Sequence, residues 1–252
     1  MTEPDTKITI SFVIPAYNEE KGLPGCLKSI LDEIKREQIP AEVLVVNNAS
    51  TDATGQVARS FPNVTVVDEP KKGITFARQA GYMASRGRLV ANIDADNHVP
   101  AGWLKKAVAA FDQDPGLICL SGPLVYYDLS RFKRAVVWFY SRVVFLVHTF
   151  NYYVFRIGAV VQGGNFVATR QALNAIGGFD TRIKFYGEDT DLARRFSSLG
   201  KVKFSLKFFM YSSGRRLAKE GVVMTGLRYV VNYYSVLLRH KPATEQYKDI
   251  RS

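Results

Sequence analysis

The chain is expected to fold as an α/β protein: a mostly parallel central sheet with helices on both faces. Two observations carry this expectation. Short apolar runs of strand length alternate with amphipathic stretches of helix length as far as Ser121, which is the pattern of successive βαβ crossovers. Polar loops follow the first four apolar runs, at the sheet edge where ligands of parallel sheets bind.

Taken in order, Ile8–Ile14 is rich in β-branched residues and reads as a strand, with the amphipathic Leu23–Glu37 as the helix that returns from it. Glu42–Val46 is a strand, followed by a helix from about Asp52 to Ser60, which Ser50 and Thr51 are expected to cap. Val64–Val67 is a strand and Ile74 to about Ser85 a helix. Arg88–Ile93 is a strand, and Pro100–Asp112 a helix with proline in its first turn. Leu117–Ser121 is one more strand. Later, a helix near Gln171–Ile176 ends at Gly177-Gly178, since glycine tolerates positive φ. A further helix runs through Leu192–Leu199, which leaves Glu188, Asp189 and Asp191 at its N-terminus. The helix dipole favours carboxylates there and should keep Asp189 ionised; Asp191 is expected to cap.

The 252 residues suit one large domain or one domain with an appendage, and the 47% apolar content is that of a globular protein. Only Cys26 and Cys119 are present, in a helix and a strand, so no disulfide framework is expected and a cytoplasmic setting fits. Met1–Lys7 has neither a basic nor an apolar region of the kind a secretory leader needs. Charge is uneven. Residues 1–127 hold 13 Lys and Arg against 15 Asp and Glu, a balance of −2; residues 128–252 hold 21 against 8, a balance of +13. The basic back half therefore suits an anionic partner.

Asp94-Ala95-Asp96 closes the apolar run Leu89–Ile93, so two carboxylates two residues apart leave a buried strand and face a crevice. Oxygen donors of this kind hold Mg²⁺ or Mn²⁺, often shared with a diphosphate. The second acidic cluster, Glu188-Asp189-Thr190-Asp191, is approached by the aromatic, glycine-containing Phe185-Tyr186-Gly187. One carboxylate set to hold a metal and another to take a proton would serve group transfer from an activated phosphate ester.

Ala135 to Val161 is almost wholly apolar and aromatic. Arg142, Thr149 and Arg156 recur every seven residues, with Ser141 and His148 beside them, which on a helix makes a narrow polar stripe on a wide apolar surface. Arg131, Lys133 and Arg134 precede it. Arg228, Asn232, Ser235 and Arg239 repeat the theme in the tail. Both faces leave three uses open: internal packing, contact with an anionic membrane surface from the inner side, and self-association into a homo-oligomer. Because the basic residues are interleaved with apolar runs, no nucleic-acid partner is expected. No G-x-G-x-x-G follows the first strand, which argues against a dinucleotide-dependent oxidoreductase.

Ile10–Glu20, Val45–Asp52, Ala77–Gly81, Asp94–Asp96, Gly178–Asp180 and Gly187–Asp189, in that order over roughly residues 8 to 216, resemble the family 2 glycosyltransferases of the GT-A fold. The resemblance implies inverting transfer of a hexosyl or N-acetylhexosaminyl group from a nucleotide-diphospho-sugar donor to an acceptor hydroxyl; the basic, amphipathic segments alone suggest a carbohydrate or lipid-linked acceptor at a membrane face. The resemblance also implies a nucleotide site at Pro15, Ala16, Tyr17, Glu19, Asn48 and Arg78, with Asp94 near the ribose and metal. Asp96 would ligate Mn²⁺ or Mg²⁺, and Asp189 would be the general base. Gly164, Asn165 and Glu188 are expected on the acceptor side. Many relatives carry an aspartate where Asn47 and Asn48 stand; an asparagine amide can accept or donate, so the base stays open, with uridine placed first. No histidine follows the second cluster to complete a metal site. Arg215 or Arg216 would instead help hold the diphosphate. Three parts are expected: a nucleotide-sugar-binding part at 1–127, an acceptor-side part with a helical insertion at 128–216, and an amphipathic basic tail at 217–252. A non-catalytic nucleotide-binding or scaffolding relative is the alternative.

Overall fold

Each of the first four apolar runs forms a strand, and each is joined to the next by a helix. In the computed structural model, which describes residues 7–154, 159–183, 186–239 and 241–244, these are β1 (Ile10–Ala16), α1 (Leu23–Glu37), β2 (Ala41–Asn48), α2 (Thr54–Arg59), β3 (Val64–Glu69), α3 (Ile74–Ala84) and β4 (Leu89–Ile93). Then come α4 (Trp103–Gln113), β5 (Leu117–Ser121), β6 (Leu124–Tyr126), α5 (Arg131–Thr149) with a π-helical turn at Phe150–Val154, β7 (Asn165–Thr169) and α6 (Arg170–Ala175). The chain continues through α7 (Glu188–Ser197), β8 (Lys201–Phe204), β9 (Met210–Ser212), α8 (Arg215–Glu220) and α9 (Val222–Arg239). Arg156, Phe185 and Met1–Thr6, on which some expectations fall, lie outside the described residues.

The seven-stranded sheet has the order β3-β2-β1-β4-β7-β5-β8. Its strands are parallel except β7, which runs antiparallel between β4 and β5. Parallel strands covered on both faces need apolar residues on both, and alternation along β1 supplies them. Phe12 and Ile14 join Leu27, Ile30, Trp103 and Leu104 under α1, α2 and α4. Val13 joins Ala77, Leu173, Leu192 and Phe196 under α3, α6 and α7. A buried carboxylate also serves the first layer: Glu33 Oε1 accepts from Leu104 N at 3.1 Å, so α1 caps α4, whose own N-cap is a glycine. Both cysteines are buried and unpaired.

The expected helix across 135–161 ends earlier. After the π-helical turn, Ala159 and Val161 are non-helical and buried in the second core layer. The polar stripe also points the opposite way from a soluble helix. Ser141 and His148 of α5, and Thr225 and Asn232 of α9, are buried. Each of the four except Thr225 has an assigned hydrogen-bond partner: Ser141 Oγ donates to Val137 O, His148 Nδ1 accepts from Val160 N, and Asn232 bonds Thr244. Burial holds the His148 imidazole down, to about 4, so it is neutral at physiological pH. Many of the large apolar residues face outward, although Val236 and Leu237 of α9 are buried. Phe132 is 79% exposed, Phe139 66% and Leu238 72%, with Trp138, Leu146, Met224, Leu227 and Val231 also exposed. No helix among the described residues is long and apolar enough to cross a membrane.

Candidate active site at the carboxyl edge of the sheet

The loops after β1 and β2 are laced together. Pro15 and Ala16 are the last, buried residues of β1. Asn18 turns the chain with a left-handed φ of 51°. Its N–H donates to Ser50 Oγ at 3.2 Å, and its Oδ1 accepts from Thr51 N at 2.9 Å. Glu19 N donates to Thr54 Oγ1 at 2.8 Å, and Glu20 N to Asp52 Oδ2 at 3.2 Å. Ser50 and Thr51 are therefore not helix caps; α2 begins later, at Thr54, and Asp52 meets its first N–H.

Asn48 does not open onto a base site. Its Oδ1 accepts from Gly73 N at 2.8 Å, and its Nδ2 donates to Lys71 O at 2.7 Å and Glu69 O at 3.2 Å. The buried amide is wholly engaged in holding the loop after β3. That loop carries Lys72, whose ammonium donates to Tyr17 Oη at 2.7 Å. No spacing or motif announces this Lys72–Tyr17 pair, 55 positions apart.

Two arginines organise the carboxylates. Arg78, buried on α3, donates through Nη1 to Glu188 Oε1 at 2.8 Å and through Nη2 to Asp94 Oδ1 at 3.3 Å. Burial works against its charge, but Glu188, Asp94 and Asp189 outweigh it and keep it protonated. Arg215, at the start of α8, donates through Nη2 to both Glu19 oxygens at 2.9 Å and to Asp96 Oδ2 at 2.8 Å. It arrives there because β9 leads into α8, and Tyr211 of β9 exchanges backbone hydrogen bonds with His98, two residues after Asp96.

Gly163 and Gly164 pack directly against this cluster. A Cβ on Gly164 would lie 2.3 Å from Asp94 Oδ2, and one on Gly163 would lie 3.0 Å from Arg78 Nη2 and 3.2 Å from Glu188 Oε1. Asn97 Nδ2 donates to Gly164 O at 2.6 Å, which holds the pair in place. Two buried atoms of this cluster, Arg78 Nε and Asn97 Oδ1, have no hydrogen-bond partner.

Asp189 sits in the first turn of α7, after Gly187 with φ 88°. Its Oδ1 accepts from Thr190 N at 2.8 Å, and the Gly163 N–H also bonds it. The helix terminus does not prevail over desolvation. Burial raises the Asp189 carboxyl above its usual range, while Arg78 and these N–H groups oppose the rise. Burial and the neighbouring Asp189 push Glu188 up to about 7, against the pull of Arg78. Tyrosines from three elements face the same acids. Burial raises the Tyr140 phenol on α5, with Asp189 adding to it. The Tyr229 phenol on α9 is raised well above its usual value by desolvation, with Asp189 and Glu188 contributing and Arg216 opposing. The Tyr126 phenol on β6 is raised by burial and by Asp96 and Asp94. Asp94 and Glu188 are joined through Arg78, with Asp189 next to Glu188, and the charges of these acids reach the three phenols.

Two expected residues, Asn165 and Asp191, lie otherwise. Asn165 is fully buried at the start of β7: its Oδ1 accepts from Trp103 Nε1 at 3.1 Å and its Nδ2 donates to Gly122 O and Phe208 O, so no polar atom remains for an acceptor. Asp191 pairs with Arg194 and Arg195 instead of capping α7. Arg216 bonds Glu220, one helical turn along α8, at 3.3 Å, and its charge reaches the Tyr126 and Tyr229 phenols.

The donor set fits a hard divalent cation. Asp94 is 38% exposed on its side chain, and Asp96 already holds a cationic group in Arg215. Asp94 and Asp96 are oxygen donors of the kind that hold such an ion together with substrate phosphates; among the described residues no group of three or more His, Cys, Asp or Glu is placed to hold one.

The family model described as Glycosyl transferase family 2 matches residues 11–177. The chain is 39% identical over 99 residues to dolichyl-phosphate β-glucosyltransferase ALG5A of Trichomonas vaginalis, covering 35% of this chain and 31% of the relative. It is 40% identical over 111 residues to an uncharacterized glycosyltransferase of Mycobacterium tuberculosis, covering 43% of this chain and 46% of the relative. The matched stretches thus span between about a third and a half of these relatives. Among solved structures, the mannosyltransferase PcManGT of Pyrobaculum calidifontis, in complex with GDP-Man and Mn²⁺, superposes with a TM-score of 0.69 at 22% identity, over 94% of this chain and 66% of that one. Glucosyl-3-phosphoglycerate synthase of M. tuberculosis, with Mn²⁺, UDP and phosphoglyceric acid, gives 0.62 at 22% identity, over 92% and 79%. These likenesses establish the shared GT-A fold.

Proposed function

The chain belongs to glycosyl transferase family 2, and on that premise we propose that it transfers a hexosyl or N-acetylhexosaminyl group from a nucleotide-diphospho-sugar, a UDP-sugar first, to an acceptor hydroxyl with inversion. The observation that supports this best is the chain of contacts Asp94–Arg78–Glu188, with Asp189 beside it, which joins the donor-side acid to the acceptor-side pair.

Asp94 and Asp96 would hold Mn²⁺ or Mg²⁺, which when bound neutralises charge on the departing nucleoside diphosphate. Pro15, Ala16 and the Tyr17–Lys72 pair border the nucleotide side. Asn48 acts one step back, by fixing the loop that carries Lys72. Asp189 accepts the proton of the acceptor hydroxyl as that oxygen bonds the anomeric carbon and the bond to the diphosphate breaks on the opposite face. The Thr190 and Gly163 N–H groups aim the carboxylate, and its raised pKa makes it a better base than a solvated aspartate. Arg78 balances the negative charge of Asp94, Glu188 and Asp189 in a buried space, where three uncompensated carboxylates could not all stay ionised.

The outward apolar faces of α5 and α9 support action at the inner face of a membrane. Exposed Phe132, Trp138, Phe139 and Leu146, preceded by Arg131, Lys133 and Arg134, have the composition of a helix that lies in an anionic bilayer surface. Tyr140 of α5 and Tyr229 of α9 reach the Asp189 side from these same helices. An acceptor carried by a lipid fits this arrangement, and the name of the T. vaginalis relative agrees with it. The test incubates the full chain with UDP-glucose, UDP-N-acetylglucosamine or GDP-mannose, Mn²⁺ and a polyprenyl-phosphate or glycan acceptor, and measures nucleoside diphosphate release. Metal-dependent release abolished by EDTA is expected. Binding without release, unchanged in Asp189→Asn, would overturn the catalytic reading.

A further inference from the structure

We infer that Arg215 is a built-in counter-ion for Asp96: it competes with the divalent cation for that carboxylate until the donor's diphosphate draws it away. This rests on the reading that Asp94 and Asp96 hold the metal.

The two carboxylates differ in the structure. Asp94 meets Arg78 only at 3.3 Å and is open on one side, whereas Asp96 is engaged by Arg215 at 2.8 Å. Arg78 is buried and also tied to Glu188, so it has little freedom to leave. Arg215 has one fixed side and one open side. Its Nη2 contacts both oxygens of Glu19, which is only 3% exposed, yet 40% of its own side chain is accessible. Its backbone is pinned: Ser213 Oγ and Gly214 N both donate to Asp128 at 2.6 Å, and Arg215 N donates to Ser213 Oγ at 3.3 Å. Glu19 is pinned too, by Thr54 through its N–H and by the start of α1 through its carbonyl. Gly22 packs against both partners; a Cβ there would stand 2.9 Å from Glu19 Oε2 and 3.5 Å from Asp96 Cβ. The backbones on either side are therefore fixed, and the exposed guanidinium is the part that can move.

A cation arriving alone has Asp94 open to it and must win Asp96 from a charge-assisted hydrogen bond. A cation arriving with a diphosphate meets different terms, because the phosphate oxygens add ligands and offer Arg215 a new anion beside Glu19. Metal and nucleotide should then bind with positive coupling, and coupling is reciprocal.

The experiment titrates Mn²⁺ into the full chain and follows the free-ion signal by electron paramagnetic resonance, alone and with saturating UDP, with GDP in a parallel series. In the parent protein, nucleotide should tighten Mn²⁺ binding. Arg215→Gln should tighten binding of Mn²⁺ alone on the order of tenfold, the loss of one charge-assisted hydrogen bond, and should shrink the nucleotide effect. Because Arg215→Gln leaves Glu19 buried without this partner, the double variant Glu19→Gln/Arg215→Met is measured beside it and should show the same tightening. Arg215→Lys, which keeps the charge, should resemble the parent. If neither neutralised variant binds Mn²⁺ more tightly than the parent, the inference is overturned. If the parent binds no Mn²⁺ even with nucleotide, the proposed reaction falls with it.

Discussion

Arg78 Nη1 lies 2.8 Å from Glu188 Oε1, so a residue on the third helix is joined to one 110 positions later, at the N-terminal turn of α7. The same guanidinium reaches Asp94. Removing it strands the largely buried Glu188 carboxylate and takes a partner from the half-open Asp94. Arg78→Gln should destabilise the protein by about 3–5 kcal/mol, the cost of breaking a buried pair by deleting one partner. Denaturant melts measure this, and sugar transfer should fall in parallel.

Asp189→Asn keeps the shape and the contact with Thr190 but cannot take a proton. Turnover should drop by about 10²–10⁴-fold. Binding of Mn²⁺ and nucleotide, read by the same titration used for the parent, should change by less than about threefold.

The acidic pair gives two pH signatures. Glu188 is raised to about 7 in the fold against 4.5 when free, so folding favours its protonated form. That contribution is fully present below about 4.5 and is lost as pH rises through about 7. Thermal melts of Glu188→Gln against the parent should therefore move in the variant's favour across that window. In kinetics, the base must be ionised, and Asp189 is raised above its usual 3.8. The acid limb of kcat/KM should lie above the ordinary aspartate range, with apparent values that belong to the pair.

Gly164→Ala places a methyl group where Asp94 Oδ2 now stands, 2.3 Å from the ideal Cβ. Either the carboxylate or the Gly163-Gly164 segment must shift. The expected outcome is weaker Mn²⁺ binding in the presence of nucleotide, by on the order of tenfold, since metal sites tolerate little displacement of a ligand. The free-ion signal reports it directly.

Phe139→Asp and Leu146→Asp add charge to the exposed face of α5. Cosedimentation with anionic vesicles at low salt should be lost, while the melting curve stays within about 0.5 kcal/mol of the parent, as for surface changes. A large loss of stability would mean that these side chains pack internally instead.

Much of the frame was readable because local signals and tertiary demands agreed. The runs at Leu23–Glu37 and Leu117–Ser121 have the bounds expected of them. β1 sits two residues later than expected, at Ile10–Ala16, because Pro15 can end a strand whose ladder continues through its carbonyl. β7 escaped notice: Gln162–Val167 looks like a glycine loop feeding a helix, and only its neighbours β4 and β5 make it a strand. The short β6, β8 and β9 likewise owe their form to partners distant in sequence. At the site, the acids announced themselves by position, but hydrogen-bond partners did not. Nothing in the sequence distinguishes Arg215 from Arg216, or reveals that Asn48 and Asn165 are fully engaged by the interior. Helical spacing found the polar stripes of α5 and α9, but periodicity carries no direction, so it could not tell which side faces the protein.

The antiparallel strand β7, set between β4 and β5, also orders assembly in time. β1 to β4 are contiguous in sequence and pair only among themselves until β7 arrives. β5, by contrast, emerges from the ribosome with no neighbour: its pairing strands, β7 and β8, begin more than forty residues later. Between those moments the aromatic surface of α5 has already been made. A nascent chain paused there would carry an unpaired strand edge and a greasy helix together, so chaperones or the bilayer itself would have their strongest hold on this protein before the sheet closes.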